Sequence, residues 1–168
     1  DFVRDNLEEG ALGETILSTL AEFAGQLIAL LSGTFNEQDG VAALEALTSA
    51  GTAEFTSEFP IGVPTSACGE GPELVNGIYY YSWSGTGVLT NALDIGDLLL
   101  GASSLVYSEA NDGLVGRCSS RFGRVIRDDY FLNHLDSVNQ VLGLTSWFET
   151  DPKSLIRAHV NRLKNLGL

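Results

Sequence analysis

One short stretch gathers most of the groups in this chain that could do chemistry: Asn133-His134-Leu135-Asp136, with Gln140 and Leu144 a few residues on. It holds one of only two histidines, followed two residues later by an aspartate. A histidine beside a carboxylate can be a general base, a metal ligand or a hydrogen-bonded structural pair. Upstream lies a loop aspartate in Asn111-Asp112-Gly113; like His134 it is flanked by apolar residues, Leu114 and Val115 for one, Leu132 and Leu135 for the other.

In the Asp-His pair of a hydrolase the carboxylate accepts the Nδ1–H, fixes the tautomer and stabilises the imidazolium. The histidine needs a pKa near the working pH to take a proton from a serine. Asp112 before His134 is the order found in α/β-hydrolases, although spacing alone would admit any Asp and His. The nucleophile is missing: no GxSxG occurs. Ser84 and Ser103 lack the paired glycines of a strained strand-to-helix elbow and read as structural. Asp94, Asp136 and backbone oxygens after Asp136 could form a calcium site, since calcium takes carboxylates and carbonyls together. No EF-hand spacing supports it.

The elements that must position these groups are partly legible. Ile16, Leu17, Leu20, Phe23, Ala24, Leu27, Ile28 and Leu31 recur at helical spacing, which predicts a helix ending near Ser32-Gly33. It is either a core-packing helix or a mobile lid with a lipid-facing side. Val41–Leu47 reads as a second helix ended by Ser49-Ala50-Gly51, and Thr52–Phe59 as a short continuation before Pro60. Val75-Asn76-Gly77-Ile78 predicts a hairpin, Ile78–Trp83 a strand, and Ser84–Gly87 a loop. Leu93–Leu100 reads as a short helix or turn carrying two carboxylates, Ser104–Tyr107 as extended, and Arg124–Ile126 as a further extended piece. Asp136–Leu142 looks helical up to Gly143. Asp151 as N-cap, Pro152 at the first helical position and Gly167 beyond the last turn bound a C-terminal helix. On it Leu155, Ile156, His159, Leu163 and Leu166 share a face, Arg157 and Arg162 are solvated, and His159 reads as packed rather than catalytic. Few strands are visible for a complete α/β sheet, so the parallel core is expected elsewhere.

The 168 residues suffice for one domain with a core, and no apolar run is long enough for a membrane span. The chain opens at Asp1-Phe2 and contains no Met, as a processed product or fragment would. Its net charge is −13, yet no Lys or Arg lies between Asp5 and Gly116. Nucleic acid, which needs clustered cations, is a poor partner for most of the chain. Cys68 and Cys118 permit one disulfide or two buried thiols; a bond closing fifty residues would contribute roughly 4 kcal/mol in the chain-entropy model.

The segments Pro64–Gly71, Tyr80–Gly85, Gly101–Leu105, Ala110–Gly116, Asn133–Asp136 and His159–Lys164 together resemble, in order, the C-terminal part of secreted Pseudomonas/Burkholderia-type triacylglycerol lipases. The resemblance implies an α/β-hydrolase fold of which this chain is the C-terminal portion, the nucleophile-bearing N-terminal half lying outside it. It implies Asp112 as triad acid and His134 as general base. Asp94 and Asp136 match structural Ca2+ ligands, completed by main-chain oxygens of Gln140 and Leu144, with a cis peptide after Gln140. Cys68–Cys118 matches the family disulfide, and the helix near 11–32 matches the lid. Leu114, Val115 and Leu135, with Ile16 and Leu20 of the lid, are expected to border the acyl pocket. The implied setting is extracellular, with a lipid ester at an oil-water interface as substrate and a membrane-anchored lipase foldase as a partner during secretion. The rival readings are a non-catalytic calcium or lipid-surface binding module and a related sterol esterase or phospholipase.

Overall fold

The structure is a computed structural model that describes residue 46 and residues 49–94, 96–105, 107–139 and 142–168. The expected lid helix with Ile16 and Leu20, the residues 41–45, Gln140 and the peptide that follows it lie outside the described residues. The chain divides into two compact units, Asp1–Pro60 and Ile61–Leu168.

In the first unit, helix α1 spans Ser49–Glu58. Ser49-Ala50-Gly51 therefore lies inside a helix instead of ending one. The final turn closes with Phe59 N–H donating to the Phe55 carbonyl (2.9 Å), and the two rings meet at a 40° tilt with centroids 4.8 Å apart. Pro60, which has no N–H to donate, follows the helix.

In the second unit, β1 (Leu74–Val75) and β2 (Ile78–Tyr79) form the expected hairpin. Asn76 and Gly77 both take positive φ, 52° and 81°, the pairing that a tight turn with the right twist requires. The aromatic run is not one strand: Tyr80 N–H turns back to the Glu73 carbonyl, and β3 begins afresh at Tyr81–Gly85, taking in Ser84-Gly85 that sequence placed in a loop. β3 pairs in parallel with β4 (Arg124–Tyr130), Tyr81 opposite Arg124 and Gly85 opposite Tyr130. Part of a parallel sheet is thus here and not wholly elsewhere. Parallel strands need a crossover, and helix α2 (Gly96–Ser104) lies within it.

α2 runs on past Leu100, where the expected short helix ended, through Gly101-Ala102-Ser103 to Ser104, the first residue of the stretch expected to be extended. Leu100 is its fully buried anchor, and Ser103 Oγ donates to the Gly113 carbonyl at 2.6 Å, with the Leu99 and Leu100 carbonyls each 3.1 Å away. Helix α3 is only His134–Ser137; it stops at Val138, short of the predicted Leu142. Helix α4 (Pro152–Asn165) matches its signposts, with Asp151 capping Lys153 N–H and Gly167 at φ 82°. Its predicted face is narrower than expected: Ile156 and Leu166 are 46% and 45% exposed, while Arg162 is half-buried against His159.

The large apolar side chains buried among the described residues are Leu100, Leu132 and Leu135. Leu98, Leu105, Leu142 and Phe148 are each more than two thirds exposed. A parallel sheet is ordinarily covered on both faces, so a two-stranded parallel pair beside so much open apolar surface is a partial architecture. No described helix is long and apolar enough to cross a membrane.

Candidate active site

β3 and β4 deliver the chemistry-bearing residues to one end of the sheet. Beyond the ladder, Thr86 N–H donates to Tyr130 O and Gly87 N–H to Leu132 O, so the chain that follows β4 is held beside the end of β3. Asn133 and α3 come next, just past the carboxyl ends of two parallel strands, where open α/β sheets bind their ligands.

Asn133 is the N-cap of α3. Its Oδ1 accepts from Asp136 N–H (2.8 Å) while Asp136 Oδ2 accepts from Asn133 N–H (3.1 Å), a reciprocal capping box. This cap puts His134 at the first helical position and sends Asp136 to a different neighbourhood. His134 is joined to Asp112 twice: its backbone N–H donates to Asp112 O (2.9 Å), and its ring Nδ1 meets Asp112 Oδ2 at 2.9 Å. A carboxylate only accepts, so Nδ1 carries the proton and Nε2 of the neutral ring is the basic nitrogen. The hydrogen bond to Asp112, helped by that carboxylate's charge and opposed by burial, raises the His134 pKa above its ordinary value. The His134 side chain is 39% exposed and the Asp112 side chain 7%. One partner is fixed and the other is presented.

Asp112 is held by its own loop. Oδ1 accepts the N–H of Leu114 (3.0 Å) and Val115 (2.8 Å), so the carboxylate answers three donors in all. Asn111 Oδ1 accepts Gly113 N–H. Gly113 has φ 99°, and a Cβ there would stand 2.7 Å from Leu100 Cβ, so only glycine lets this loop lie against α2. Leu114 and Val115 are half-buried beside Asp112; Leu135 is 4% exposed and belongs to the core.

A second carboxylate group lies on the other side of α3. Asp97 is saturated: Oδ2 accepts the N–H of Thr90 and Asn91, and Oδ1 accepts Asn133 Nδ2 at 2.6 Å. Asp94 and Asp136 are each half-used. Asp94 Oδ1 accepts Gly96 N–H and Asp136 Oδ2 accepts Thr90 Oγ1, but Asp94 Oδ2 and Asp136 Oδ1 are buried without a hydrogen-bond partner. Burial foremost, and then the charge of Asp97, raises the pKa of both, and Asp94 adds to the shift of Asp136. The loop after α3 returns to this place, Asn91 Nδ2 donating to Thr145 O (2.9 Å) next to half-buried Leu144. Two buried, unpaired carboxylate oxygens are what a hard divalent cation would take, so the residues present fit calcium.

Ser84 and Ser103 are both buried and hydrogen-bonded within the fold. Ser84 Oγ accepts from Ser120, and Ser103 ties α2 to the Gly113 carbonyl. Cys68 and Cys118 form a disulfide. Glu109 lies close to both sulfurs, but sulfurs bonded to each other are no longer thiolate ligands, and Glu109 Oε2 instead accepts Cys118 N–H. A cavity of about 440 Å³ lined by residues 63–68, Cys118, Ser119 and Arg121 touches neither Asp112 nor His134. His159 packs between Tyr81 and Trp83, both centroids 5.2 Å away, and burial lowers its pKa.

What sequence reading missed is the support: Asp97, Asn133, Thr90 and Ser103. Asn133, three residues ahead of an acidic residue, carries a cap signal that pointed there. Nothing local marks Asp97 apart from Asp94.

No protein-family model matches the chain. It is 51% identical over 169 residues to a triacylglycerol lipase of Vibrio cholerae serotype O1, the match covering all of this chain and 54% of that protein. Triacylglycerol lipases of Burkholderia plantarii and Pseudomonas fragi are 36% and 39% identical, again across the whole chain and 56% and 60% of their own length. Such relatives imply an α/β-hydrolase-type fold. The chain spans little more than half the length of the curated relatives it matches, and over its own full length it is similar to bacterial triacylglycerol lipases.

Proposed function

We propose that this chain supplies the acid and the base of a serine-type ester hydrolase, a secreted triacylglycerol lipase whose nucleophile is carried by polypeptide outside these residues. The observation that supports this most is the doubly tied Asp112–His134 pair at the carboxyl end of a parallel strand pair. His134 Nε2 takes the serine proton as the hydroxyl attacks the ester carbonyl, Asp112 stabilises the imidazolium, and the proton then passes to the leaving alkoxide; water repeats the sequence on the acyl-enzyme. Leu114 and Val115 border the acyl chain, the 11–32 segment with Ile16 and Leu20 acts as an interfacially opened lid, and exposed apolar faces pack against the rest of the enzyme. The disulfide suits an oxidising, extracellular setting, reached with a lipase foldase as folding partner.

Calcium, when bound, is structural here: it neutralises carboxylates and ties the loop after His134 to the α2 entry. Asp94 and Asp136 would hold it, with main-chain oxygens of Gln140 and Leu144. The decisive experiment is His134→Ala in the complete enzyme. Ester hydrolysis should fall by more than about 1,000-fold with the thermal midpoint unchanged; near-normal turnover would sink the assignment.

A further inference from the structure

We infer that Asp97 is a positioning residue for His134, acting through the Asn133 side chain. The inference rests on reading His134 as the general base. Asp97 is 4% exposed, and each of its oxygens holds a different part of the molecule. Oδ2 gathers the consecutive N–H groups of Thr90 and Asn91, fixing the turn beyond β3. Oδ1 takes Asn133 Nδ2 at 2.6 Å, the shortest of that amide's contacts; the others go to Thr90 Oγ1 (3.2 Å) and Val88 O (3.4 Å). Asn133 is 0% exposed, and its amide is oriented by these contacts together with the Asp136 N–H on Oδ1.

That orientation matters because an amide has two different ends. With Nδ2 committed to Asp97, Oδ1 must face Asp136 N–H and cap α3. The cap sets where the first helical residue starts, and that residue is His134, whose N–H and ring both reach Asp112. Asp97 thus selects which way Asn133 points, and Asn133 sets the direction of the imidazole. Misplacing a catalytic group by an ångström costs about 100-fold in rate, so a residue that never meets substrate can govern turnover.

The test uses the donor-acceptor logic of the contact in the complete enzyme. In Asp97→Asn the oxygen stays with the two backbone N–H groups, and an NH2 faces the NH2 of Asn133. The kcat for a soluble ester should fall about 10- to 100-fold with KM changed less than about twofold. The downfield Nδ1–H resonance of His134 should shift or vanish. Adding Asn133→Asp restores a donor opposite an acceptor while keeping the capping oxygen; the pair should regain most of the lost kcat and the resonance. Should Asp97→Asn not fold, Asn133→Ser, which keeps a cap and removes the Nδ2 donor, is held to the same two readouts. Unchanged kcat and an unmoved resonance in the folded variant, or no recovery in the double variant, would overturn the inference. If the unaltered enzyme hydrolyses no ester, or does so regardless of His134→Ala, the base assignment fails instead, and the resonance alone then decides whether Asp97 orients the ring.

Discussion

Two groups of buried carboxylates in this molecule have opposite solutions to the same electrostatic problem. Asp128 on β4 is 6% exposed and meets Arg117 at 2.7 Å and Arg121 at 2.6 Å. Chiefly through its hydrogen bond to Arg117, against the cost of burial and with Arg121 helping, its pKa drops to about 2. Arg121 also donates to the Cys68 carbonyl, so this region is neutralised and crosslinked by its own side chains and disulfide. Asp94, Asp97 and Asp136 have no ion pair with any Lys or Arg among the described residues; they rely on N–H and O–H donors and leave two oxygens unanswered. One region answers its buried charge with its own cations, and the other leaves two carboxylate oxygens without a partner. The second is also the one that carries His134.

If that contrast is right, the self-contained region should respond to covalent and charge deletions whatever the medium. Replacing both Cys68 and Cys118 by serine should lower unfolding free energy by about 4 kcal/mol, read from urea titration; a loss under about 1 kcal/mol would remove the disulfide from the account. Asp128→Ala strands two half-buried guanidinium groups and should cost about 3 kcal/mol by the same titration, in chelator as in calcium. The pH response follows from the depressed pKa. A carboxylate lowered from 3.8 to about 2 adds stability above the higher value and loses it as pH falls through the lower. About 2 kcal/mol of acid sensitivity between roughly pH 4 and pH 2 should therefore be missing from Asp128→Asn.

The region of Asp94 and Asp136 should behave conditionally. Excess chelator should lower the thermal midpoint of the native protein. Asp94→Asn should destabilise by about 1 kcal/mol when calcium is present and be neutral or mildly stabilising in chelator, because the substitution relieves repulsion that only a cation otherwise answers. The same sign in both media would break the distinction between the two regions.

Chain order and local chemistry were enough for some elements. Asn76-Gly77 announced a turn, and Asp151-Pro152 with Gly167 bracketed α4, because these residues impose their conformations from within a few bonds. The strand and helix boundaries that went astray depended on distant partners. α2 continues through Gly101 because Leu100 is buried and Ser103 finds Gly113 across a loop. α3 stops at Ser137 because Val138 leaves the helical conformation and Asn139 turns to φ 54°, its N–H donating to the Asp136 carbonyl, against the periodicity that followed.

For the site, the sequence by itself determined the residue types, their order, and a lopsided charge that puts no Lys or Arg between Arg4 and Arg117. Through its family likeness it also pointed to Asp112, His134 and the Cys68–Cys118 bond. Tertiary structure decided which carboxylate meets which partner. Asp136 is two residues from His134, yet Asp112, farther off in sequence, takes the imidazole. A helical start turns residues one and three away from each other, and only the packing of the Asn111–Gly116 loop against α2 could bring Asp112 to the vacant side of the ring.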